Sequence, residues 1–241
     1  MTDYVMLNPE EHKDLRIDVS HSADMGDGVN FAMTFPFEFR NVQGHYPIFF
    51  QKSGDSGEFY PVALFGFEPG ENLFLDEDGW TAPFQPAMIR RQPFLIGFQD
   101  QGPDIKEKKA VVTIDMASPR VGTVDGEPLF LEHGGTSNYL QQVTQTLELI
   151  HQAHEHSEKF VKALLDHDLL EPFSLNVDLE DGSSHQLLGF YTINEQKLQA
   201  LSGSTMQSFN EHGFLVPAYM ILASHSCIRQ LISLKNKTRS V

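Results

Sequence analysis

The chain has 241 residues, 40% of them hydrophobic, which is enough to bury a substantial core as one large domain or two small ones and excludes a disordered chain. Seventeen Lys and Arg against 33 Asp and Glu leave a formal charge of −16, which repels phosphate backbones and anionic headgroups and argues against a nucleic-acid partner. The single cysteine, Cys227, excludes an intramolecular disulfide and a cysteine-built metal site, and it fits a reducing compartment.

The first residues, with Asp3, Glu10, Glu11 and Asp14, contain no apolar run of the length a secretory signal or membrane span needs. The expectation is a cytoplasmic protein without membrane insertion. Nineteen Phe against six Tyr and one Trp point to an aromatic core. Residues 1–28 are polar, end in Asp24-Met25-Gly26-Asp27-Gly28, and are expected at the periphery.

From there, short aromatic runs bounded by turn residues read as strands over Phe31–Phe39, Tyr46–Gln51, Phe59–Phe67 and Phe94–Phe98. The Gly and Ser content of Lys52–Gly57 predicts a hairpin loop between the second and third. Val111–Asp115 reads as a further strand, and Val121–Phe130, split by Asp125-Gly126, as a hairpin or an irregular turn. After Gly134-Gly135 the composition changes. Leu140, Val143, Leu147 and Ile150 share one helical face and predict a helix over Asn138–Leu149; a second is predicted over Ser157–His167, stopping before Pro172. Phe173–Leu179 and His185–Ile193 flank a turn and predict a β-hairpin. Asn194 can cap a short helix through Leu201, Ser204 with Gln207 has capping-box spacing, and Pro217 can open a final helix carrying Ile221, Ile228, Leu231 and Ile232. The sum is an α+β protein, mainly antiparallel β in the N-terminal half with helices packed from the C-terminal half. Residues 29–241 read as a single domain, with a sub-boundary near 134–137 left open.

Of the chemistry-bearing residues, His151, His154 and His156 with Glu155 and Glu158 form the densest set of metal-ligand types. They lack the His-Glu-x-x-His order and read as a solvated helix end, with a metal site at His151 and His154 as the lower-ranked alternative. Leu75–Trp80 reads as an acidic turn rather than a calcium loop, and Cys227 as a buried thiol rather than a nucleophile. No phosphate loop, dinucleotide fingerprint or Gly-x-Ser-x-Gly elbow occurs, and no cofactor is implied. The basic groups Lys106, Lys108, Lys109 and Lys235, Lys237, Arg239 are too short to form a nucleic-acid groove. The unusual segment is Ala82–Phe94, where three prolines brace Arg90 and Arg91 among apolar residues. Such guanidinium groups either neutralise buried carboxylates, the favoured reading, or present a fork to a ligand carboxylate.

Taken in order, Tyr46–Phe50, Pro61–Phe74, Trp80 with Pro86–Phe94, Ile114–Arg120, Asp125–Phe130, Gly189–Gly213 and Ala223–Ser226 resemble the bacterial SapC family, named after a surface-layer-associated protein. The resemblance runs from about Gly44 to Leu234. It carries no settled reaction or catalytic residue. It implies an association with bacterial surface layers, and an accessory role beside halogenase-like flavoproteins, cupin-like dioxygenases and TonB-dependent receptors in handling a peptide or envelope component. The leading expectation is therefore a non-enzymatic binding or accessory protein for a peptide, protein or small carboxylate, contacted by Arg90, Arg91, Tyr46, Trp80, Phe84 and Asn72. A protein or peptide partner is expected, and a homodimer is left open. The rival is a metal-dependent oxidative tailoring enzyme built on His151 and His154.

Overall fold

A computed structural model describes residues 2–100 and 109–238. Lys106, Lys108 and Arg239 of the basic groups lie outside the described residues. In chain order the strands are β1 (Tyr4–Met6), β2 (Arg16–Ile17), β3 (Phe31–Met33), β4 (Ile48–Lys52), β5 (Phe59–Leu64), β6 (Leu75–Asp76), β7 (Gly79–Trp80), β8 (Phe94–Gln99), β9 (Lys109–Asp115), β10 (Val121–Gly122), β11 (Glu127–Pro128), β12 (Leu170–Asp178) and β13 (Ser184–Ile193). The helices are α1 (Phe39–Val42), α2 (Ala87–Arg90), α3 (Asn138–Asp166), α4 (Glu195–Gln199), α5 (Gly203–Glu211), α6 (Leu215–Ser224) and α7 (Ile228–Thr238). The fold is α+β, with antiparallel sheets and most strands in the N-terminal half.

The largest sheet has the order β12-β13-β4-β5-β3. At its centre β4 and β5 form the expected hairpin, paired from Ile48 with Ala63 to Lys52 with Phe59. Side chains alternate across a strand, so neighbouring Phe49 and Phe50 serve opposite faces. Phe50 meets Phe160 of α3 at a ring separation of 6.5 Å, whereas Phe49 lies 4.5 Å from Phe173 and 5.0 Å from His225. Two smaller sheets, β1-β9-β8 and β10-β2-β11, stand apart from it. The N-terminal segment supplies β1 and β2 to them, and its Ile17 and Asp27 are fully buried.

Helix α3 ties these layers together. The two helices expected over residues 138–149 and 157–167 are one, because the intervening Ile150–His156 holds no Pro or Gly to break it. The Ser137 side chain caps its start, accepting from the Leu140 amide at 3.1 Å. Its N-terminal half packs Leu140, Val143 and Leu147 on Ile17, Phe94, Ile114 and Leu129. Its C-terminal half packs Phe160, Val161 and Leu164 into the larger aromatic core of the main sheet.

Other local expectations are corrected. The run Phe31–Phe39 yields only β3, since Pro36 interrupts it and Phe39 opens α1. Segments β10 and β11 pair with β2 between them rather than with each other. Gly126 sits so close to the Ile17 backbone that a Cβ would come within 2.2 Å of its carbonyl oxygen, at a φ of +102° that side chains disfavour. Ser202, not Ser204, caps α5, accepting from the Thr205 amide at 3.2 Å. Pro217 is the third residue of α6, still within the turn whose amides lack helical acceptors. The final helix is broken by a 3-10 turn at His225–Cys227. There the Ser224 hydroxyl bonds the Ile221 carbonyl at 2.6 Å and accepts from the Ile48 amide at 2.8 Å, competing with regular helix.

Candidate functional site

Asp27 sits between Gly26, whose φ is +90°, and Gly28, and its carboxylate is completely buried. One oxygen, Oδ2, accepts from Arg120 Nη2 at 2.6 Å and from His21 Nδ1 at 2.9 Å. A carboxylate only accepts, so Nδ1 of His21 carries the proton in this contact. Arg120, 3% exposed, also donates to the carbonyls of Asp18 at 3.2 Å and Ser20 at 2.7 Å. Asn72 completes the anchor, donating to the Asp27 carbonyl at 2.9 Å and accepting from the Phe74 amide at 3.0 Å.

A second polar chain begins beside it. The His21 ring meets Trp80 edge-on at 5.7 Å, and Trp80 Nε1 donates to the Tyr46 hydroxyl at 2.9 Å. That hydroxyl donates to the Phe84 carbonyl, and burial pushes its pKa well above the usual phenol value. The Arg90 guanidinium lies over the Phe84 ring, 5.6 Å from its centroid. Glu38, also buried, accepts from Thr34 Oγ1 at 2.7 Å and from the Ala87 amide that opens α2 at 2.8 Å. Burial pushes its carboxyl pKa up, and those two bonds and the nearby Arg90 charge oppose the rise.

Between α2, the N-terminal half of α3 and the 19–21 loop lies a cavity of about 260 Å³, with His21, Arg90, Arg120, Tyr139, Gln92 and Gln142 on its walls. Among the described residues no Asp or Glu side chain lines it. Burial pushes the Tyr139 hydroxyl up to about 12, against a lowering by Arg120.

The structure thus brings Arg90, Phe84, Tyr46 and Trp80 into one cluster, with Arg90 on the cavity wall and the aromatics behind it. Asn72 is held at the back of the Asp27 anchor. Arg91 turns the other way. Its guanidinium bonds the Met88 sulfur at 3.3 Å and the Phe94 carbonyl at 2.8 Å, lines a separate pocket with Tyr4 and Asp115, and has its pKa lowered by burial. Among the described residues, the guanidinium that makes an ion pair with a buried carboxylate is that of Arg120, while Arg90 acts on the buried Glu38 through its charge without an ion-pair contact. His151 and His154 are both exposed; His151 lies 5.7 Å from Phe98, and His154 pairs with Glu158 at 3.2 Å. Among the described residues no three His, Cys, Asp or Glu side chains are grouped to hold a metal ion.

Sequence reasoning missed His21, Asp27, Arg120 and Tyr139. Arg120 and Asp27 are 93 positions apart, so no spacing links them. A lone Asp between two glycines was the one local signal.

These features define an α+β protein with a cationic, carboxylate-free cavity and, among its described residues, no helix long and apolar enough to cross a membrane. The chain belongs to the SapC family, whose family model matches residues 7–231. No curated protein and no solved structure matches it.

Proposed function

We propose that the protein is a non-enzymatic binding protein that takes up a small carboxylate in the cavity beside α2. The observation carrying this reading is that, in a chain of net charge −16, no described carboxylate side chain lies on these walls, which present Arg90, Arg120 and His21. Arg120 is ion-paired with Asp27, whereas Arg90, whose charge also acts on the buried Glu38, makes no ion pair of its own among the described residues and is the guanidinium open to a ligand. The amides of Gln92 and Gln142 and the Tyr139 hydroxyl supply the neutral polar contacts that fix a ligand's orientation. A volume of about 260 Å³ fits a molecule of amino-acid size rather than a folded partner. In this reading the protein is an accessory carrier in the cytoplasm, acting beside the envelope or peptide-modifying processes that the family's name and usual neighbours imply.

Isothermal titration with a panel of mono- and dicarboxylates and free amino acids tests it. A charge-assisted bond is worth about 1.5–3 kcal/mol, so Arg90→Ala weakens carboxylate binding by about 10- to 100-fold, while Arg91→Ala leaves it within about twofold. Equal binding by wild type and Arg90→Ala, or no binding of any member by the wild type, rejects the proposal.

A further inference from the structure

The opposite end of α3 borders a second concavity that shares no lining residue with the carboxylate-free cavity. It is a groove of about 700 Å³ between the C-terminal half of the helix and the β3–β5 corner of the main sheet. Its floor is Met33, Phe35, Phe59, Tyr60, Val161 and Leu165. The groove stays open because β3 pairs only with Val62–Leu64 of β5, leaving Phe59 and Tyr60 without a strand neighbour on that side. Apolar side chains remain in water here. Leu165 is 46% exposed, and Phe37, stacked on Phe35 at 5.9 Å, is 41% exposed.

The rim is acidic. Glu58, Glu158 and Asp166 stand against two lysines, Lys162, which Asp166 holds at 2.6 Å, and Lys52, whose ammonium lies 5.4 Å from the centroid of the Phe59 ring. Glu158 accepts from His154 at 3.2 Å, and the Glu58 carboxylate has no ion-pair partner among the described residues. From His154 to Asp166 the helical wall runs about 18 Å, at about 1.5 Å per residue. An apolar floor beside a helical wall of that length, below a net negative rim, complements an elongated ligand with one greasy face and cationic edges.

We infer that this groove docks a cationic amphipathic peptide segment, its apolar side chains against Phe59, Val161 and Leu165 and its Lys or Arg side chains on Glu58 and Glu158. The probe is a fluorescently labelled Leu/Lys amphipathic peptide of about 14 residues, followed by anisotropy on the full chain. Wild type gives saturable binding at one peptide per chain. Leu165→Asp weakens it by about tenfold or more even though it adds negative charge, because it removes a buried apolar contact. Glu58→Gln with Glu158→Gln weakens it and flattens its salt dependence, and Arg90→Ala leaves it unchanged. Leu165 is exposed, so its substitution leaves the fold intact, as a circular dichroism melt verifies. Absent or non-saturating binding overturns the inference. So does undiminished binding by Leu165→Asp, which marks generic attraction to an acidic protein, or equal binding of a Leu/Glu peptide.

Discussion

The two ends of α3 pack on different sheets and face concavities of opposite character. Among the described residues, the N-terminal half rests on a small core with one buried aromatic, Phe94, and borders a polar cavity with no carboxylate on its walls. The C-terminal half rests on an aromatic core and borders an apolar groove edged with them. Charge along one helix is therefore sorted by what lies opposite. Beside the buried Arg120 and Asp27 the helix presents Tyr139, Gln142 and Thr146; beside the open sheet edge it presents Glu158, Lys162 and Asp166. A uniformly acidic surface repels an anion everywhere, and this sorting lowers that repulsion beside the N-terminal half of the helix.

The strongest way to break the contrast is to remove the anchor behind the polar cavity. Asp27→Ala strands a guanidinium that is 3% exposed, at a cost of about 3–5 kcal/mol in urea unfolding. Asp27→Asn combined with Arg120→Met recovers part of that loss, since neither buried charge remains. A loss below about 1 kcal/mol for Asp27→Ala would mean that water, not Asp27, satisfies Arg120.

Core truncations at the two ends then ask whether the sheets act as one unit. Phe160→Ala at the aromatic end costs about 3–5 kcal/mol and Leu147→Ala at the other about 2–5 kcal/mol. Because a single unbroken helix carries both side chains, each variant shifts one common unfolding transition. Two calorimetric transitions, one per variant, would separate the halves.

Much of this architecture was legible where the determinants are local. The Gly- and Ser-rich loop after Lys52, the turn after Glu180 and the Asn194 cap each act within a few residues, and each lies where the sequence placed it. The continuity of α3 was not legible, because His151–His156 lacks the apolar periodicity of its flanks yet breaks nothing. Nor was the insertion of β2 between β10 and β11, a contact over about 100 positions. At the site, Arg90 and Phe84 stood out as basic and aromatic residues in the proline-braced stretch Ala82–Phe94, and Tyr46 and Trp80 fell in segments that carry the family resemblance. His21, Asp27 and Arg120 did not, since their meaning is burial and mutual contact, which only the folded chain creates.

The smallest effect expected is a pH slope from the far face of the main sheet. His225 stacks on Phe49 at 5.0 Å and bonds the Thr192 hydroxyl at 3.1 Å. Burial lowers its pKa below the ordinary 6.5, against raising contributions from the Ile48 backbone and the Glu195 charge. The folded state therefore resists a proton that the unfolded chain accepts. Stability from this group is fully present above pH 6.5 and is lost as pH falls from there through the folded-state value. Thermal melts at pH 7.5 and about pH 5.5 should show the loss, and His225→Phe, which keeps the stacking and cannot titrate, should shrink it. If the variant and the wild type lose stability equally over that interval, the acid sensitivity belongs to other groups and the aromatic face contributes none of it.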